Sequence, residues 1–468
     1  MNIFGLIDKI NGVLWSYIVI TMLVVCAFYF TWGLRGVQFT KLGEMFRNLF
    51  HNGQDTNMPS THRKHISSFQ AFAVSLSSRV GTGNLAGVAS AIFVGGPGAI
   101  FWMWVMAMLG ASTAFMEATL AQLFKRHGKT SFYGGPAFYM QYGLGKRWMG
   151  ILFAISIICG FGLSNQLVQS NTLCDAIADT FSVNVHIVAI VLMFLTLFII
   201  FGGIHRIARF SSIVVPIMAL GYLLIAIYVL AVHITEIPGI VMLIVKSAFG
   251  WEQAAGGTVG MAITMGVRRG LFSNEAGEGS APNAAATASV SHPVKQGLLQ
   301  SLGVYTDTLL VCSCTAFIIL LSGLYNGTDD GIILTSRAMD YHLGSMGRWF
   351  LTLAITLFAY STIIGNYFYG ESNVRFISSK TWPLVVFRLA SGAVVLAGGY
   401  ITLQEAWTIV DLLMAIMTIL NLIAVVLLGR YAFRLLEDYL EQRRQGKDPV
   451  FDPDMFPEAD IEAWRTKQ

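Results

Sequence analysis

The chain has 468 residues, of which 55% are hydrophobic and only 12% are charged, and its mean hydropathy is +0.62. Soluble domains carry roughly a quarter charged residues, so this composition argues against a soluble protein and predicts an integral membrane protein. The net charge of +4 does not indicate a nucleic-acid partner, because the Lys and Arg residues lie mainly in loops between apolar runs.

The first apolar run, 13–33, predicts a retained membrane helix. It is too long for the core of a signal peptide, and no small-residue cleavage site follows it. A short apolar stretch at 237–249 is typical of an interfacial segment, and the tail from 430 to 468 is too charged and short to form a large core. Ten further spans are predicted at about 69–94, 99–124, 148–173, 186–204, 210–232, 256–290, 296–321, 349–374, 383–400 and 406–428.

The distribution of positive charge predicts the orientation of these eleven spans. An odd number of spans puts the two ends of the sequence on opposite sides of the membrane. With the N-terminus outside, 22 of the 30 Lys and Arg residues fall on the cytoplasmic side and four fall outside. Because Lys and Arg are enriched in cytoplasmic loops, we expect an outside N-terminus and a cytoplasmic C-terminus.

Setting the first span aside leaves a candidate internal repeat. The other ten spans divide into two sets of five, and each set opens with a span interrupted by Gly, Asn and hydroxyl residues. Sets of five have opposite orientations, and paired broken helices in inverted halves indicate a transporter site near the midplane. The predicted organisation is an extra helix at 1–34, a cytoplasmic loop at 35–68, five-helix repeats at 69–234 and 235–430, and a cytoplasmic tail at 431–468.

The first break reads SSRVGTGNLAG at 77–87. Unpaired backbone groups are costly in lipid, so such a break persists where they face protein, water or a ligand. Half-helix N-termini suit a carboxylate, and unwound carbonyls suit a cation. We therefore expect a substrate carboxylate near Thr82, Gly83 and Asn84, and a sodium ion at carbonyls near Ser77 and Val80. A glycine-lined kink for helix packing is the alternative.

The second break, at 270–282, is more polar. It holds Phe272, Ser273 and Asn274, followed by Glu275 and Glu278. Two carboxylates at membrane depth are expensive unless they are paired or bind a cation. Ion pairs with arginines are at least as plausible as direct ion binding; the candidates are Arg79, Arg268 and Arg269.

Four further residues are candidates, and they lie in three otherwise apolar spans. Asp307 is a predicted cation ligand, with a hydrogen-bonded structural role as the alternative. Ser361 and Thr362 offer adjacent hydroxyls that suit a small hard cation, although hydroxyls in helices also bond to their own backbone. Gln169 lies in a polar cluster on the third span and is the predicted substrate contact there.

The same sequence offers little for other chemistry. The five cysteines lie in or beside apolar runs, and the nine histidines show no metal-ligand spacing. There is no phosphate-binding loop, nucleophile elbow or HExxH motif, so we expect no enzymatic activity, no ATP and no cofactor.

Several motifs resemble the prokaryotic alanine or glycine:cation symporter family. They are SSRVGTGNLAGVA, GGPGAIFWMWV, YGGPAFYM, VQSN and GVRRGLFSNEAGEGSAP, followed by HPVKQG and DT. The resemblance implies an all-α membrane protein with a leucine-transporter-type 5+5 inverted repeat and one extra N-terminal helix. It also implies sodium-coupled uptake of alanine or glycine in a bacterial or archaeal cytoplasmic membrane. By position in that fold, the resemblance implies that Thr82, Gly83 and Asn84 contact the substrate and an ion, and that Phe272, Ser273 and Asn274 lie opposite them. It also implies that Asp307 binds one sodium ion and that Ser361 and Thr362 bind another.

Three alternatives remain open from sequence. A transporter of the same fold driven by protons, or carrying another small amine or amino acid, is compatible with Glu275, Glu278 and Asp307. A cation channel is less compatible, because polarity is concentrated at two central breaks. A membrane enzyme is the most distant reading. A pocket crowded by Phe272 is expected to admit only a very small side chain.

Overall fold

The computed structural model describes residues 3–50, 66–128, 131–250, 258–327, 329–401 and 404–465. This part of the chain is almost entirely helical, as the composition predicts, with one two-stranded hairpin. Four shorter apolar helices in it have 10–17 residues: Gly83–Gly95, Val185–Ile200, Ile237–Ala248 and Thr381–Ala397. Seven of its helices are long and apolar enough to cross a membrane: Gly5–Gly33, Gly98–Leu123, Arg147–Phe181, Gly203–Val232, Pro293–Ser322, Ser345–Ile377 and Trp407–Arg444.

The α-helices of the first half are, in chain order, α1 Ile3–Val13, α2 Ile20–Gly33, α3 Val37–Thr40, α4 Leu42–Phe50, α5 Ser68–Arg79, α6 Val88–Gly95, α7 Gly98–Leu123, α8 Pro136–Tyr142, α9 Arg147–Cys159, α10 Gln166–Phe181, α11 Val185–Ile200 and α12 Gly203–Val232. Between α7 and α8, β1 Arg126–His127 pairs antiparallel with β2 Phe132–Tyr133.

The second half continues with α13 Ile237–Ala248, α14 Val259–Asn274, α15 Pro282–Ala285, α16 Pro293–Val304, α17 Ser313–Ser322, α18 Gly331–Leu343, α19 Ser345–Ile377, α20 Thr381–Ala397, α21 Gln404–Arg444 and α22 Glu462–Arg465. Two 3₁₀ turns lie at Leu324–Asn326 and Pro453–Met455. Wider π-helical segments lie at Leu14–Val19, Gly83–Gly87, Gly160–Asn165 and Tyr305–Cys312. Such segments are rare and occur frequently at functional sites.

The helix of the first break is interrupted where the sequence predicts. Ser67 begins α5 with a capping box, in which its hydroxyl accepts from the Gln70 amide and the Gln70 side chain accepts from the Ser67 amide. The helix ends at Arg79, and the backbone of the next residue, Val80, is extended (φ −80°, ψ 91°). Helical structure resumes at Thr82, so Val80 and Gly81 interrupt the helix in the middle of a buried segment.

The second break is longer than the sequence suggests. α14 ends at Asn274, and the next residue, Glu275, adopts a left-handed conformation (φ 56°). Gly277 and Gly279 follow with φ values of 96° and 80°, a region that favours glycine. Only the four-residue α15 follows before α16, instead of a helix continuing to residue 290, because these glycines and two prolines prevent a continuous helix.

Close packing brings the two breaks to the centre of the protein. α7 packs against both α14 and α16, and α19 packs against α5 and α10. A Cβ atom at Gly365 on α19 would lie 2.9 Å from the Ser77 hydroxyl oxygen and 2.9 Å from the Ser78 amide nitrogen. The absence of a side chain at Gly365 therefore lets α19 approach the end of α5 next to the first break.

Some elements have no counterpart among the predicted spans. The β1–β2 hairpin is too short to give a strand pattern, and α18 is too polar to be recognised as a span. α21 continues sixteen residues beyond the predicted span end at 428, because strong helix formers such as Leu, Glu and Arg follow the apolar run.

The segment after α21 packs back onto the helices. Phe456 is fully buried, and the indole nitrogen of Trp464 donates to the Gln122 carbonyl at the end of α7 (2.9 Å). The Phe451 amide donates to the Ser291 carbonyl (2.9 Å), and Lys295 pairs with Asp448 (2.8 Å). This segment thus joins the end of α7 to the loop before α16.

Candidate functional site

The first cluster of oxygen atoms lies where α19 meets the end of α5. The hydroxyl of Thr362 donates to the carbonyls of Ser77 (3.0 Å) and Val80 (3.2 Å). The hydroxyl of Ser361 lies 3.5 Å from the Ser77 carbonyl oxygen and donates to the Phe358 carbonyl in its own helix (2.9 Å). Four of the predicted cation residues, Ser77, Val80, Ser361 and Thr362, are therefore adjacent and buried, and their oxygens are the ligand type that a hard cation prefers.

The second cluster surrounds Asp307, which is fully buried within the π-helical segment of the span joining α16 and α17. Asn84 donates to one carboxylate oxygen of Asp307 (2.7 Å). Ser273 and Thr308 donate to the other oxygen (2.7 and 2.8 Å). The predicted set of Asn84, Ser273 and Asp307 is thus assembled from three separate parts of the chain.

Cysteine and a second amide complete this cluster. The Sγ atom of Cys312 lies 3.3 Å from the Asn84 amide nitrogen and 3.1 Å from the Ser273 hydroxyl. Asn274 donates to Thr308 (3.1 Å) and accepts from the Ala276 amide (3.0 Å), so its side chain closes the end of α14. The five cysteines are free thiols, and four of them are buried.

The first break also holds the predicted substrate residues, and their polar groups differ in availability. The Thr82 amide donates to Gln169 on α10 (3.2 Å), and the Gly81 amide donates to the Asn84 side chain (2.8 Å). The Thr82 side chain is only 4% exposed, and its hydroxyl has no hydrogen-bond partner among the described residues. Of Thr82 and Asn84, only Thr82 therefore has an uncommitted side-chain group.

A cavity of about 250 Å³ adjoins Thr82. Thr82, Gly83, Phe272 and Trp407 line it, together with Arg269 of α14 and Asp411 of α21. The rings of Phe272 and Trp407 lie 5.1 Å apart between centroids, and a Cβ atom on Gly83 would lie 3.0 Å from the Phe272 ring. Phe272 therefore restricts the space beside the first break, as the sequence predicts.

A second cavity, of about 510 Å³, lies between α10, α18 and α19. Both cavities are lined by Thr172 and Ile332, so they adjoin each other. Carboxylates and guanidinium groups line the second cavity: Asp175, Asp179, Asp340, Arg337 and Arg348. The two cavities together extend from the first break toward the ends of α10 and α18.

The arginines of α14 do not form the ion pairs with Glu275 and Glu278 that were one of the two predictions for the second break. Arg268 makes an ion pair with Asp411 on α21, and not with Glu275 or Glu278. The guanidinium of Arg269 lies 5.8 Å from the centre of the Trp407 ring. Asp411 and Trp407 could not be found from the two breaks, because they lie in the last span, far from both breaks in sequence. The signal that could have identified Asp411 is that it is an acid inside an apolar run.

The carboxylates of the second break have unequal surroundings. Glu275 accepts hydrogen bonds from Ser78 (2.7 Å) and Ser280 (2.5 Å). Glu278 is fully buried, and neither of its carboxylate oxygens has a hydrogen-bond partner in the described part of the chain. The predicted pairing with arginine is therefore not formed at Glu278.

A third buried carboxylate, Glu117 on α7, was missed by sequence reasoning because it sits within a long apolar span. Asn421 of α21 donates to Glu117 and to the Gly277 carbonyl, and Tyr139 of α8 donates to Asn421. The Gly277 amide also donates to Glu117 (3.4 Å). This network connects α7, α8 and α21 to the loop of the second break.

The chain matches the model of the sodium:alanine symporter family over residues 2–453. It is 47% identical over 466 residues to the amino-acid carrier protein AlsT of Bacillus subtilis, covering 99% of this chain and 98% of that protein. It is 46% identical over 456 residues to the probable sodium/glutamine symporter GlnT of the same organism, covering 97% and 94%. The sodium/alanine symporter AgcS of Methanococcus maripaludis is 37% identical over 442 residues, covering 92% and 95%.

Proposed function

The chain belongs to the sodium:alanine symporter family, and we propose that it is a multi-pass membrane transporter in which a cation gradient drives the uptake of alanine. The family is a family of transporters rather than enzymes. The observation that carries the proposal is the pair of buried oxygen clusters beside the cavity at the first break.

We assign one sodium ion to each cluster. The first ion would be held by the carbonyls of Ser77 and Val80 with the hydroxyls of Ser361 and Thr362. The second would be held by Asp307 with Ser273 and the side-chain oxygen of Asn84, whose amide would then have to rotate. A sodium ion beside Asp307 would neutralise a carboxylate that is fully buried, which lowers the cost of holding that charge at membrane depth.

The substrate is assigned to the cavity between Gly83 and Phe272. The free hydroxyl of Thr82 would donate a hydrogen bond to the substrate carboxylate. Gln169 would hold the Thr82 backbone in place by accepting a hydrogen bond from its amide. Asn274, predicted as a substrate contact, is assigned a supporting role because its side chain is occupied by Thr308 and Ala276. The rings of Phe272 and Trp407 would limit the size of the substrate side chain, so glycine is a second expected substrate.

The arrangement proposed for the membrane is the one predicted from sequence. Eleven spans form an extra helix and two inverted sets of five, in a bacterial or archaeal cytoplasmic membrane with the C-terminus inside. The two interrupted segments and the distribution of Lys and Arg support this arrangement. No nucleic acid and no ATP take part.

The energy for transport comes from the ion gradient. One sodium ion moving down 100 mV supplies ~2.3 kcal/mol, and a tenfold concentration gradient adds ~1.4 kcal/mol. The total is ~3.7 kcal/mol. At full coupling, this free energy could support roughly several-hundred-fold accumulation of a neutral amino acid.

Uptake of labelled alanine by the purified protein in liposomes tests the proposal. Accumulation against a gradient is expected when external sodium exceeds internal sodium, and none is expected when choline replaces sodium. Uptake that survives sodium removal and collapses with the pH gradient would instead support proton coupling. Flux that never exceeds equilibrium would support a channel.

A further inference from the structure

Glu278 stands apart from the other carboxylates near the second break. Its side chain is fully buried, and neither oxygen has a hydrogen-bond donor among the described residues. Neighbouring Glu275 accepts two hydroxyl hydrogen bonds, and Glu117 accepts from Asn421 and the Gly277 amide. Burial is thus compensated at both neighbours and uncompensated at Glu278.

The charges that face Glu278 come from four parts of the structure. Glu275 of its own loop, Glu117 of α7 and Asp411 of α21 all repel a negative charge there. Arg79 of α5 attracts one, but it makes no ion pair within 4.0 Å in the described part of the chain. Its guanidinium donates to the Gln300 carbonyl (3.3 Å). Asp411 is itself paired with Arg268, and the Arg79 guanidinium faces four carboxyl groups, those of Glu117, Glu275, Glu278 and Asp307.

The free-energy cost of burial decides which protonation state of Glu278 this conformation can hold. An unpaired buried charge costs far more free energy than an unpaired neutral polar group, so a buried carboxyl without a partner takes up a proton instead. The preceding residue offers Glu278 no free donor: a Cβ atom on Gly277 would contact Leu23, Leu422 and the methyl group of Thr113, and the Gly277 amide already donates to Glu117. The protonated form is therefore the one compatible with this packing.

The location of Glu278 indicates the side with which it exchanges protons. From Asn274 at the centre, the chain runs through Glu278 to α15, which packs on α5, and then to the start of α16. The start of α16 binds the segment after α21 through Lys295 and Asp448 (2.8 Å). Under the proposed orientation, that is the cytoplasmic face. Opening of this face during transport would bring water to the loop.

We propose that Glu278 is a proton-binding site that exchanges its proton with the cytoplasm, and that the cytoplasmic side closes only when this carboxyl is protonated. The proposal rests on the proposed transport function and orientation. In the closed state the proton lies on the Glu278 carboxylate, and on opening it passes to cytoplasmic water. A high cytoplasmic pH then leaves the carrier open to the cytoplasm and slows its return to the outside. The site is separate from both sodium clusters.

Sodium-driven alanine uptake into right-side-out membrane vesicles tests this, with the internal and external pH varied separately. Three proteins are compared: the wild type, Glu278→Gln, and Glu437→Gln as a matched control at an exposed carboxylate. For the wild type and Glu437→Gln we expect uptake to fall several-fold as the internal pH rises, with a much smaller effect of external pH. Glu278→Gln is expected to lose the dependence on internal pH. The same internal pH dependence in Glu278→Gln, or none in the wild type, would overturn the proposal.

Infrared spectroscopy of the purified full chain covers the case in which Glu278→Gln does not transport. At neutral pH the wild type is expected to show a carbonyl stretching band of a buried protonated carboxylic acid that is missing from folded Glu278→Gln. An unchanged band would overturn the assignment. Wild-type protein that shows this band but no sodium-driven alanine uptake would refute the proposed function while leaving the proton on Glu278.

Discussion

The side-chain amide of Asn84 donates a 2.7 Å hydrogen bond to Asp307, which lies 223 positions later in the chain. The same amide is 3.1 Å from the Ser273 hydroxyl, so one side chain connects both broken helices and the span that carries the buried acid. Asn84 is also two residues from the free hydroxyl of Thr82. Asn84 therefore connects the cluster around Asp307 to the backbone of the first break, whose Gly81 amide donates to its side chain.

Asp307→Asn removes the charge of the second cluster while keeping its size. We expect the apparent KM for sodium to rise and alanine uptake to fall by roughly tenfold or more, because the amide cannot neutralise a cation. The sodium dependence of alanine uptake in liposomes measures this. Asp454→Asn, at an exposed position, is the control. Full sodium dependence in Asp307→Asn would remove this residue from the ion site.

Thr362→Ala tests the first cluster. The substitution deletes the hydroxyl that contacts the carbonyls of Ser77 and Val80. We expect the KM for sodium to rise about tenfold, which corresponds to ~1.4 kcal/mol. Thr362→Ser retains the hydroxyl and is expected to behave like the wild type. Equal sodium affinities for the alanine and serine variants would show that this hydroxyl only packs against the backbone.

The location of both clusters could be predicted from sequence because each depends on a local departure from an apolar pattern. Glycines and hydroxyls at 77–87 interrupt a span, and Asp307 is a lone acid in another. The use of each side chain could not be predicted in this way. Asn84 and Asn274 are both polar residues at a break, but contacts with Asp307 and Thr308 from a distant span determine what their amides do.

Thr82→Val tests the assignment of the free hydroxyl to the substrate carboxylate. Valine has nearly the same shape and no hydrogen-bonding group. A hydrogen bond to a charged group contributes about 1.5–3 kcal/mol, so the KM for alanine is expected to rise by roughly ten- to a hundredfold. Thr82→Ser should preserve the interaction. If valine and serine variants have the same KM for alanine, the hydroxyl does not contact the substrate.

Phe272→Ala tests the size limit of the cavity. Removing the ring leaves space beside Gly83 and Trp407, so longer side chains such as glutamine should be accepted. We expect the ratio of glutamine to alanine uptake to increase by roughly tenfold or more. Phe194→Ala, at an exposed position on α11, is the control and should leave the ratio unchanged. A wild-type protein that already transports glutamine as well as alanine would contradict the size limit.

The ion pair between Arg268 and Asp411 connects α14 to α21 beside the cavity. Asp411→Asn leaves the guanidinium without its partner, and we expect uptake to fall several-fold. The exchange variant, Arg268→Asp with Asp411→Arg, should recover part of the loss, with a coupling free energy of about 0.5–3 kcal/mol. The two substitutions, Arg268→Asp and Asp411→Arg, are also measured one at a time. If the uptake of the exchange variant, relative to the wild type, equals the product of these two single effects, the pair does not act as a unit.

This pair also shows what hydrophobic patterns leave undetermined. They predict most of the long helices of the described part of the chain, because each span must be apolar over its membrane length. They contain no information on which helices adjoin. The pairing of Arg268 with Asp411 instead of Glu275, and the network of Glu117 with Asn421, follow from helix packing that no local pattern encodes.

The contacts of the segment after α21 bear on how the protein is made. Residues 448–465 are synthesised after all the helices that they touch, including the end of α7 and the start of α16. The helices up to α21 are therefore synthesised before this segment is available to bind. A biosynthetic intermediate is thus expected in which those helices are present while the surface that this segment covers is still exposed to proteases and chaperones, until Trp464 has left the ribosome.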